Sequence, residues 1–461
     1  MSNASIDATI TALRDLLGER LSTGTSILDQ HSHDEAYSKP ARPDAVAFPE
    51  TTEEVSAILK TCSEHGCPVI PYGIGSSLEG HVVPVQGGIT VDTSRMNKVL
   101  AINESDLDAV VEPGVTRTQL NEALRATGLM FTVDPGADAS LGGMAATRAS
   151  GTNTVRYGTM ADNVLALVVV LPDGQIIHTG SRARKSSTGY DLTHLFVGSE
   201  GTLGIITRLT VRLYGQPEHI AAATCVFDDI GAAVDTVILA IQMGIPMARI
   251  ELLDEVQMRG MNIYNPDIPM PEAPHLFIEF HGTEASVAEQ VDSFRALVEE
   301  HGGSEFKWAT KTEERNRLWQ ARHNAYYAGK ALRPGCNSVV TDCCVPISAL
   351  AACLSRAKDL IEASGLLAPI AGHVGDGNFH LLILVDPDSA DEMARAKALA
   401  NSVNMLALEF GGTVSGEHGV GLGKRQYLPQ EHGAAYGLMA TLKKAIDPGN
   451  IMNPGKLVTL N

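Results

Sequence analysis

The sequence predicts an α+β protein of more than one domain. Apolar runs of strand length, such as residues 164–171 and 176–178 on either side of an Asp173-Gly174 turn, alternate with segments of helical periodicity. The chain has 461 residues, of which 44% are hydrophobic, which is enough for the buried cores of two or three domains. With 44 glycines and only 19% charged residues, the composition is typical of a compact, loop-rich globular protein.

Composition also limits the partners and the location of the protein. The net charge of −19 argues against nucleic acid or an anionic membrane surface as a partner, and an anionic substrate needs a local cationic pocket. The seven cysteines are odd in number and lack a zinc-type spacing, which favours reduced thiols. No apolar run reaches the roughly 18 residues of a membrane span, and residues 1–21 lack a basic region before a hydrophobic segment. We therefore expect a cytoplasmic protein without a transmembrane segment.

The first chemically informative stretch is a glycine-rich loop that follows a short strand. A helix that begins near Thr51 ends before Gly66, and a strand at residues 69–70 follows. The loop after it contains Pro71, Gly73, Ile74, Gly75, Ser76, Ser77 and Gly80. Because glycines let several N–H groups turn toward one point and serines add hydroxyl donors, the loop predicts a nest for phosphate oxygens. No lysine follows and no helix opens, which weakens a Rossmann interpretation and leaves a glycine-rich hairpin as the alternative.

Small residues dominate two later stretches of the chain. The first contains Pro135, Gly136, Ser140, Gly142, Gly143, Gly151, Tyr157 and Gly158. Such a density of small side chains indicates either a flat or bulky ligand against the backbone or helices that pack very closely, and we favour the flat ligand. The second stretch turns at Gly201 and enters a strand that contains Ile206.

Two stretches near the end of the chain, HVGDGNFH and SGEHGVG, combine imidazoles and a carboxylate with glycines. Alternation in the strand that starts at residue 378 predicts that His380 and Leu382 share one face. His373, His380 and Glu417 form a ligand set for zinc, manganese or iron that leaves positions open for a substrate. Adjacent Glu417 and His418 do not easily bind the same ion, so His418 is placed as a general base. The alternative is that these histidines cap turns and that Glu417 and His418 form an ordinary turn pair.

Several of these motifs, in this order, resemble one protein superfamily. PYGIGSSLEG, DPGADASLGGMAATRASGTNTVRYG and GSEGTLGIIT are similar to the FAD-binding domain of the vanillyl-alcohol oxidase and p-cresol methylhydroxylase (PCMH) superfamily. HVGDGNFH, SGEHGVG and the ending DPGNIMNPGKL are similar to its branch of FAD-linked D-2-hydroxyacid dehydrogenases. That branch includes the cytochrome-type D-lactate dehydrogenases and the FAD subunit of glycolate oxidase. The resemblance covers residues 40–457.

The resemblance implies the architecture. We expect a PCMH-type FAD-binding domain at residues 1–217 and a C-terminal substrate and metal domain at residues 218–461. The second domain is expected to contain an antiparallel sheet and helices at residues 228–243, 285–301, 311–330, 347–364 and 389–410. Its final segment, residues 434–457, is expected to return to the flavin domain.

The resemblance also implies the cofactor contacts. The residues of the phosphate loop and of the two small-residue stretches named above are expected to bind FAD, with Asn453 close to the flavin ring. Some members attach FAD through a histidine where this chain has Ser76, so we expect non-covalent FAD. In metal-containing members, residues matching His373, His380 and Glu417 hold a divalent ion.

The same comparison implies the substrate contacts. The residue matching His418 acts as the base, and Arg322 matches an arginine that binds the substrate carboxylate. Relatives that act on D-2-hydroxyglutarate have polar residues where this chain has Val340 and Leu382. An unpaired second carboxylate in such a pocket would cost several kcal/mol, so monocarboxylates are favoured.

The expected activity is oxidation of D-lactate and related apolar D-2-hydroxy acids to 2-oxo acids by hydride transfer to flavin N5. The expected partners are the 2-hydroxy acid and an electron acceptor, either cytochrome c, a quinone or an electron-transfer flavoprotein. An encounter with that acceptor could bring the protein to a membrane surface, and a homodimer is compatible with the sequence. The alternatives are the FAD subunit of a glycolate oxidase complex and a flavin-free metal hydrolase or non-haem iron oxygenase.

Overall fold

The computed structural model describes residues 3–36 and 39–460. The chain divides into two compact units. The first unit consists of Met1–Ser150, Gly158–Gln216 and Glu417–Asn461, and the second consists of Gly151–Tyr157 and Pro217–Gly416. Both units combine helices with β-sheets, so the predicted α+β class is confirmed.

The strands lie throughout the chain. They are β1 (Leu21–Ser22), β2 (Ala45–Ala47), β3 (Val69–Tyr72), β4 (Ile89–Asp92), β5 (Val99–Asn103), β6 (Asp108–Val111), β7 (Leu129–Met130), β8 (Val164–Val170), β9 (Ile176–His178), β10 (Ile205–Arg212), β11 (Tyr214–Gly215), β12 (His219–Val226), β13 (Met247–Leu253), β14 (His275–Gly282), β15 (Ser304–Ala309), β16 (Asn337–Val340), β17 (Cys343–Cys344), β18 (Ile370–His373) and β19 (Asn378–Val385).

The longer helices belong mostly to the second half of the chain. The α-helices are α1 (Asn3–Leu17), α2 (Thr25–Gln30), α3 (Thr52–His65), α4 (Arg117–Ala123), α5 (Leu141–Thr147), α6 (Thr154–Tyr157), α7 (Met160–Asn163), α8 (Leu192–Phe196), α9 (Ile230–Gln242), α10 (Glu255–Tyr264), α11 (Glu284–Glu300), α12 (Thr312–His323), α13 (Ala325–Ala331), α14 (Leu350–Ser364), α15 (Ala390–Glu409), α16 (Leu428–His432) and α17 (Ala434–Ile446).

The first unit contains two larger sheets. One has the order β1-β2-β4-β3, in which β2 and β3 both pair with β4 in parallel. Helix α3 precedes β3, begins with a Thr51 side-chain cap and ends at Gly66 in the left-handed conformation, as the sequence predicts. The other sheet, β5-β6-β10-β8-β9, is antiparallel and includes the predicted hairpin of β8 and β9. The phosphate-type loop therefore leaves a parallel strand and re-enters the same sheet at β4.

The second unit is built on an antiparallel sheet with the order β15-β12-β14-β13-β18-β19-β16, and β17 pairs with β19. The odd-numbered residues of β19 belong to the main hydrophobic core. Leu382 and Leu384 belong to a separate small cluster with Cys336. The alternation predicted for this strand is therefore confirmed, and His380 shares its face with Leu382.

The predicted helices of the second unit correspond to α9, α11, α14 and α15, with ends that differ by a few residues. The single helix predicted at residues 311–330 is wrong, because the chain forms α12 and α13 with a break at Asn324. Asn324 has φ −84° and ψ 6°, outside the helical region. An asparagine in a helix interior competes with the helix for backbone hydrogen bonds, which makes it a natural break point.

Candidate functional site

In the first unit, glycines from three separate stretches pack closely against neighbouring segments. A Cβ atom at Gly73 would collide with Ser140 Oγ, and one at Gly142 would lie 2.5 Å from Pro113 Cβ. One at Gly201 would lie 2.7 Å from Pro71 Cγ. The phosphate-type loop, the beginning of α5 and the later glycine turn thus meet, as a shared ligand would require.

Where these three segments meet, Ser140 has a buried hydroxyl group. It precedes α5, its side chain is only 1% exposed, and its hydroxyl has no hydrogen-bond partner among the described residues. A buried hydroxyl without a partner costs free energy, so such an atom in a functional region points to a bound group that satisfies it. Gly143 lies beside the same hydroxyl, where a Cβ would be 3.1 Å away. These residues fit a phosphate-bearing cofactor.

The other residues of the phosphate-type loop differ in their exposure and in their contacts. Gly75 has a φ of +73°, and a Cβ there would collide with the Tyr72 hydroxyl. Ile74 is exposed, whereas the Ser77 hydroxyl donates to Asp34 Oδ2 at 2.9 Å. The hydroxyl of Ser77 is therefore engaged within the protein, and the predicted phosphate contact is left to Ser76 and the backbone.

The remaining predicted cofactor residues are distributed over both units. Pro135 and Gly136 lie in the loop before Ser140, and Ile206 lies in β10 beside Val169 of β8. Gly80 packs against Leu422, and Gly158 has a φ of +76° next to Asp162, both within the first unit. Gly151 and Tyr157 belong to the second unit, where Tyr157 Oη lies 2.8 Å from His281 Nδ1.

Asn453 ties several segments of the first unit together. Its side-chain amide donates to the carbonyls of His81 at 3.0 Å and Glu200 at 2.8 Å, and its backbone N–H donates to Val69. Lys456 in turn donates to Asn453 Oδ1 at 2.9 Å. Besides its predicted contact with the flavin ring, Asn453 therefore has a structural function, which is to fix the start of β3 and the turn around Glu200.

A buried carboxylate holds the loop that follows Glu417 and His418. Glu200 Oε1 accepts the N–H of Val420 at 2.7 Å and Oε2 accepts that of Gly421 at 2.8 Å. The same carboxylate lies 3.3 Å from His81 Nε2. Burial disfavours both charges, but their attraction prevails, so the pKa of His81 is raised and that of Glu200 is lowered.

The two residues before this loop have partners in the first unit as well. Ser150 Oγ donates to Glu417 Oε2 at 3.2 Å, and His418 Nε2 lies 3.7 Å from Glu417 Oε1. Sequence reasoning selected Glu417 and His418 but missed Glu200 and His81. The sequence shows Glu200 only as a single acid in a glycine turn, and the structure adds that its backbone has a φ of 52°.

In the second unit, another buried glutamate joins two predicted site residues. Glu251 on β13 is 0% exposed, and its Oε1 accepts from His373 Nδ1 at 2.6 Å. Its Oε2 accepts from Arg322 Nε at 3.0 Å and Nη2 at 2.5 Å. Burial opposes the charge of Glu251, but His373 and Arg322 outweigh it and hold its pKa below the ordinary value.

His380 lies close to His373. Their ring centroids are 5.4 Å apart, edge to face, so both imidazoles can reach a single ion. His380 Nδ1 lies 3.1 Å from the Thr341 carbonyl and 3.6 Å from Asp342 Oδ1. Asp342, which sequence reasoning did not select, is fully buried and also accepts from Ser415 Oγ at 2.9 Å. The donor set of this unit therefore suits a borderline divalent metal.

The two residues predicted to set substrate size lie directly opposite each other. Val340 of β16 pairs with Leu382 of β19, and both contact a small apolar cluster that includes Cys336. Leu382 is 7% exposed, and Gly329 packs against its methyl groups.

Known protein families match both parts of the chain. A family model described as "FAD linked oxidases, C-terminal domain" matches residues 216–457, and one described as "FAD binding domain" matches residues 43–180. The chain is 49% identical to "Probable D-lactate dehydrogenase, mitochondrial" of Danio rerio, over 99% of this chain and 93% of that one. It is 45% identical to "D-lactate dehydrogenase [cytochrome], mitochondrial" of Arabidopsis thaliana, over 97% and 80%. The solved structure of p-cresol methylhydroxylase with bound substrate superposes with a TM-score of 0.80 at 20% identity, over 100% and 98%, and shows the fold.

These names correct one prediction. Both relatives are called mitochondrial, so the predicted cytoplasmic location is wrong. The seven cysteines are all free thiols, and no helix among the described residues has the length and apolarity to cross a membrane. The prediction of a cytoplasmic location rested on these two properties, but a protein of any compartment that keeps thiols reduced can have both of them.

Proposed function

Because the chain belongs to the family of FAD-linked oxidases, we propose that it is an FAD-dependent dehydrogenase that oxidises D-lactate and related apolar D-2-hydroxy acids to 2-oxo acids. The likeness to proteins named D-lactate dehydrogenase over almost the whole chain carries this proposal. Residues 1–217 are assigned as the FAD-binding domain and residues 218–461 as the substrate and metal domain. The tail of the chain, from Glu417 onward, belongs to the first unit.

FAD supplies the chemistry of the reaction by accepting the hydride from C2 of the substrate. The pyrophosphate is assigned to the loop from Gly73 to Ser76, and the unpaired hydroxyl of Ser140 is a donor beside it. Glycines in both stretches leave room for that group, because side chains there would collide with the protein. Since the loop carries serine rather than histidine at position 76, the attachment is non-covalent.

A divalent ion, zinc, manganese or iron, is assigned to His373, His380 and Glu417, where it would lower the pKa of the substrate hydroxyl. Support comes from the two neighbouring imidazoles of the second unit. Both use Nδ1 for a protein contact, with Glu251 and with the Thr341 carbonyl, which assigns Nε2 as the ligating nitrogen. Glu417 follows Gly416 directly in the chain.

Arg322 is assigned to the substrate carboxylate. Its Nε and one proton of Nη2 face Glu251, so the other edge of the guanidinium, Nη1 with Nη2, remains for a two-pronged contact. The buried negative charge of Glu251 keeps this arginine in a fixed orientation. A cation held in this way suits an anionic substrate in a protein with a net charge of −19.

His418 is assigned as the base that removes the hydroxyl proton while the hydride leaves C2. An imidazole suits this role because the lone pair of its neutral form can accept the proton. Glu200 restrains the backbone two residues further on, at Val420. The apolar pair Val340 and Leu382 favours monocarboxylates.

The oxidation also requires an electron acceptor. Cytochrome c, a quinone and an electron-transfer flavoprotein are the candidates, and the name of the plant relative, which includes the word cytochrome, favours a cytochrome.

The proposal is tested by the absorbance of the purified, metal-supplemented protein under anaerobic conditions. D-lactate and D-2-hydroxyisovalerate should bleach the oxidised flavin bands, whereas L-lactate and D-2-hydroxyglutarate should leave them unchanged on the same timescale. Bleaching by glycolate alone would instead favour the glycolate oxidase subunit. A flavin that none of these compounds reduces would overturn the assigned substrate class.

A further inference from the structure

Glu251 occupies an unusual position between two residues with different proposed tasks. One carboxylate oxygen accepts from His373 Nδ1 at 2.6 Å, and the other accepts from Nε and Nη2 of Arg322 at 3.0 and 2.5 Å. Its side chain is fully buried. A single carboxylate therefore orients both a proposed metal ligand and the proposed carboxylate-binding arginine.

The chemistry of each contact has a definite consequence. A carboxylate cannot donate, so His373 must carry its proton on Nδ1, which leaves the lone pair of the neutral ring on Nε2 for a metal. The guanidinium is held by its Nε edge, which turns its Nη1 edge away from Glu251. Without a negative charge at this position, neither orientation is enforced.

A purely structural ion pair is the competing explanation, and the chain provides a direct comparison. Glu279 of β14 is also buried, at 6% exposure, and also lies between a histidine and an arginine. It is 2.7 Å from His281 Nε2 and 3.7 Å from Arg249 Nε. The two glutamates share burial, sheet and partner types. Among the described residues, however, the side-chain partners of Glu279 are His281 and Arg249, and neither is assigned to the metal or to the substrate carboxylate.

We infer that Glu251 is a positioning residue that couples the metal site to the substrate-carboxylate site, by fixing the tautomer of His373 and the orientation of Arg322 together. This inference rests on the proposed function. It implies that loss of the Glu251 carboxylate weakens metal binding even when no substrate is present. It also implies a second defect, in substrate binding, when metal is saturating.

The test uses the FAD-loaded full-length protein and its Glu251→Gln variant, with Glu279→Gln as the matched control. In Glu251→Gln, the amide nitrogen must face either His373 or Arg322. An amide nitrogen cannot accept a hydrogen bond, so one of these two residues loses its acceptor. Titration of the metal-free proteins with Zn²⁺ and, separately, Mn²⁺ should show affinity about 10-fold to 100-fold weaker for Glu251→Gln than for wild type. Glu279→Gln should bind both ions like wild type.

A kinetic measurement distinguishes a specific defect in substrate binding from a general loss of activity. At saturating metal, Glu251→Gln should raise the KM for D-lactate by a larger factor than it lowers kcat, because the carboxylate contact is made in the ground state as well as the transition state. If Glu251→Gln does not fold, the same metal titrations are made on Glu251→Asp. The shorter acid keeps the charge but cannot span both partners, so it should also bind the ions more weakly.

The outcomes are distinct. Metal affinity equal to wild type in the folded Glu251 variants would overturn the inference and leave the proposed function standing. Equal weakening in Glu279→Gln would also overturn it, since any buried glutamate of this sheet would then have the same effect. A wild-type protein that binds neither ion would overturn both the inference and the assigned metal site.

Discussion

Replacement of Glu200 by glutamine tests whether a buried carboxylate holds the loop that carries His418. Glu200 is 5% exposed and accepts the N–H groups of Val420 and Gly421 at 2.7 and 2.8 Å, while His81 lies 3.3 Å away. Glutamine keeps the size of the side chain. It has only one acceptor oxygen, however, so one of the two buried N–H groups loses its partner and His81 loses its counter-charge.

The expected cost follows from these contacts. A hydrogen bond to a charged group contributes about 1.5–3 kcal/mol, and removal of one member of a buried ion pair costs about 3–5 kcal/mol. The two effects share the same carboxylate and are not additive, so we expect Glu200→Gln to lower the free energy of unfolding by about 3–5 kcal/mol near pH 6. Because the loop follows His418, kcat should also fall, with FAD still bound.

The pH dependence gives the sharper assay. The pKa of His81 is raised above 6.5, so its share of the stability is complete below that value and is lost as pH rises through the folded-state pKa. The pKa of Glu200 is lowered below 4.5, so its share is present above that value and is lost as pH falls further. Urea unfolding should therefore show a larger difference between wild type and Glu200→Gln at pH 6 than at pH 9.

The control is Glu409→Gln, which removes a solvent-exposed partner of Arg356. An exposed ion pair contributes little, so this variant should unfold like wild type. A Glu200→Gln variant whose stability equals wild type at pH 6, or differs from it equally at both pH values, would refute the reasoning about the loop.

Three further predictions concern the cofactor, a buried acid and the substrate pocket. Gly75→Ala should lose most bound FAD, because the added Cβ collides with the Tyr72 ring at a position where φ is positive. The control Gly128→Ala has a similar φ of +70° but open space around it, so it should retain FAD. Flavin content after gel filtration distinguishes the two variants. Burial raises the pKa of the helix-capping Asp254 to about 7, so the wild-type protein loses stability as the pH rises toward and through 7. In urea unfolding, Asp254→Asn should therefore be more stable than wild type by up to about 4 kcal/mol at pH 9 and about equally stable at pH 4. Leu382→Ala should raise kcat/KM for D-2-hydroxyisovalerate relative to D-lactate about 10-fold, and an unchanged ratio would make Leu382 a packing residue only.

Local patterns in the sequence predicted individual elements, whereas the resemblance of several motifs to one superfamily predicted the fold. Strand alternation predicts that His380 and Leu382 share a face, and glycine spacing predicts the loop that meets Ser140. The helix break at Asn324 was missed because a single asparagine between two helical segments does not by itself predict a break.

The residues that position the site could not be found in this way. Glu251 is 122 residues from His373 and 71 from Arg322, and Glu200 is 220 residues from Val420. A single acid in an apolar strand or a turn gives no periodic signal. Its function depends on partners that only the folded chain brings together, which is why these two glutamates emerged from the structure.

The most direct test of the account is the anaerobic reduction of the flavin by D-lactate in FAD-loaded protein before and after removal of metal. The account predicts rapid bleaching in the metal-replete protein, reduction slowed by at least about 100-fold after chelation, and recovery when Zn²⁺ or Mn²⁺ is restored. Bleaching at the same rate without metal would contradict the role assigned to His373, His380 and Glu417. A metal-replete flavin that D-lactate does not reduce would contradict the proposed function itself.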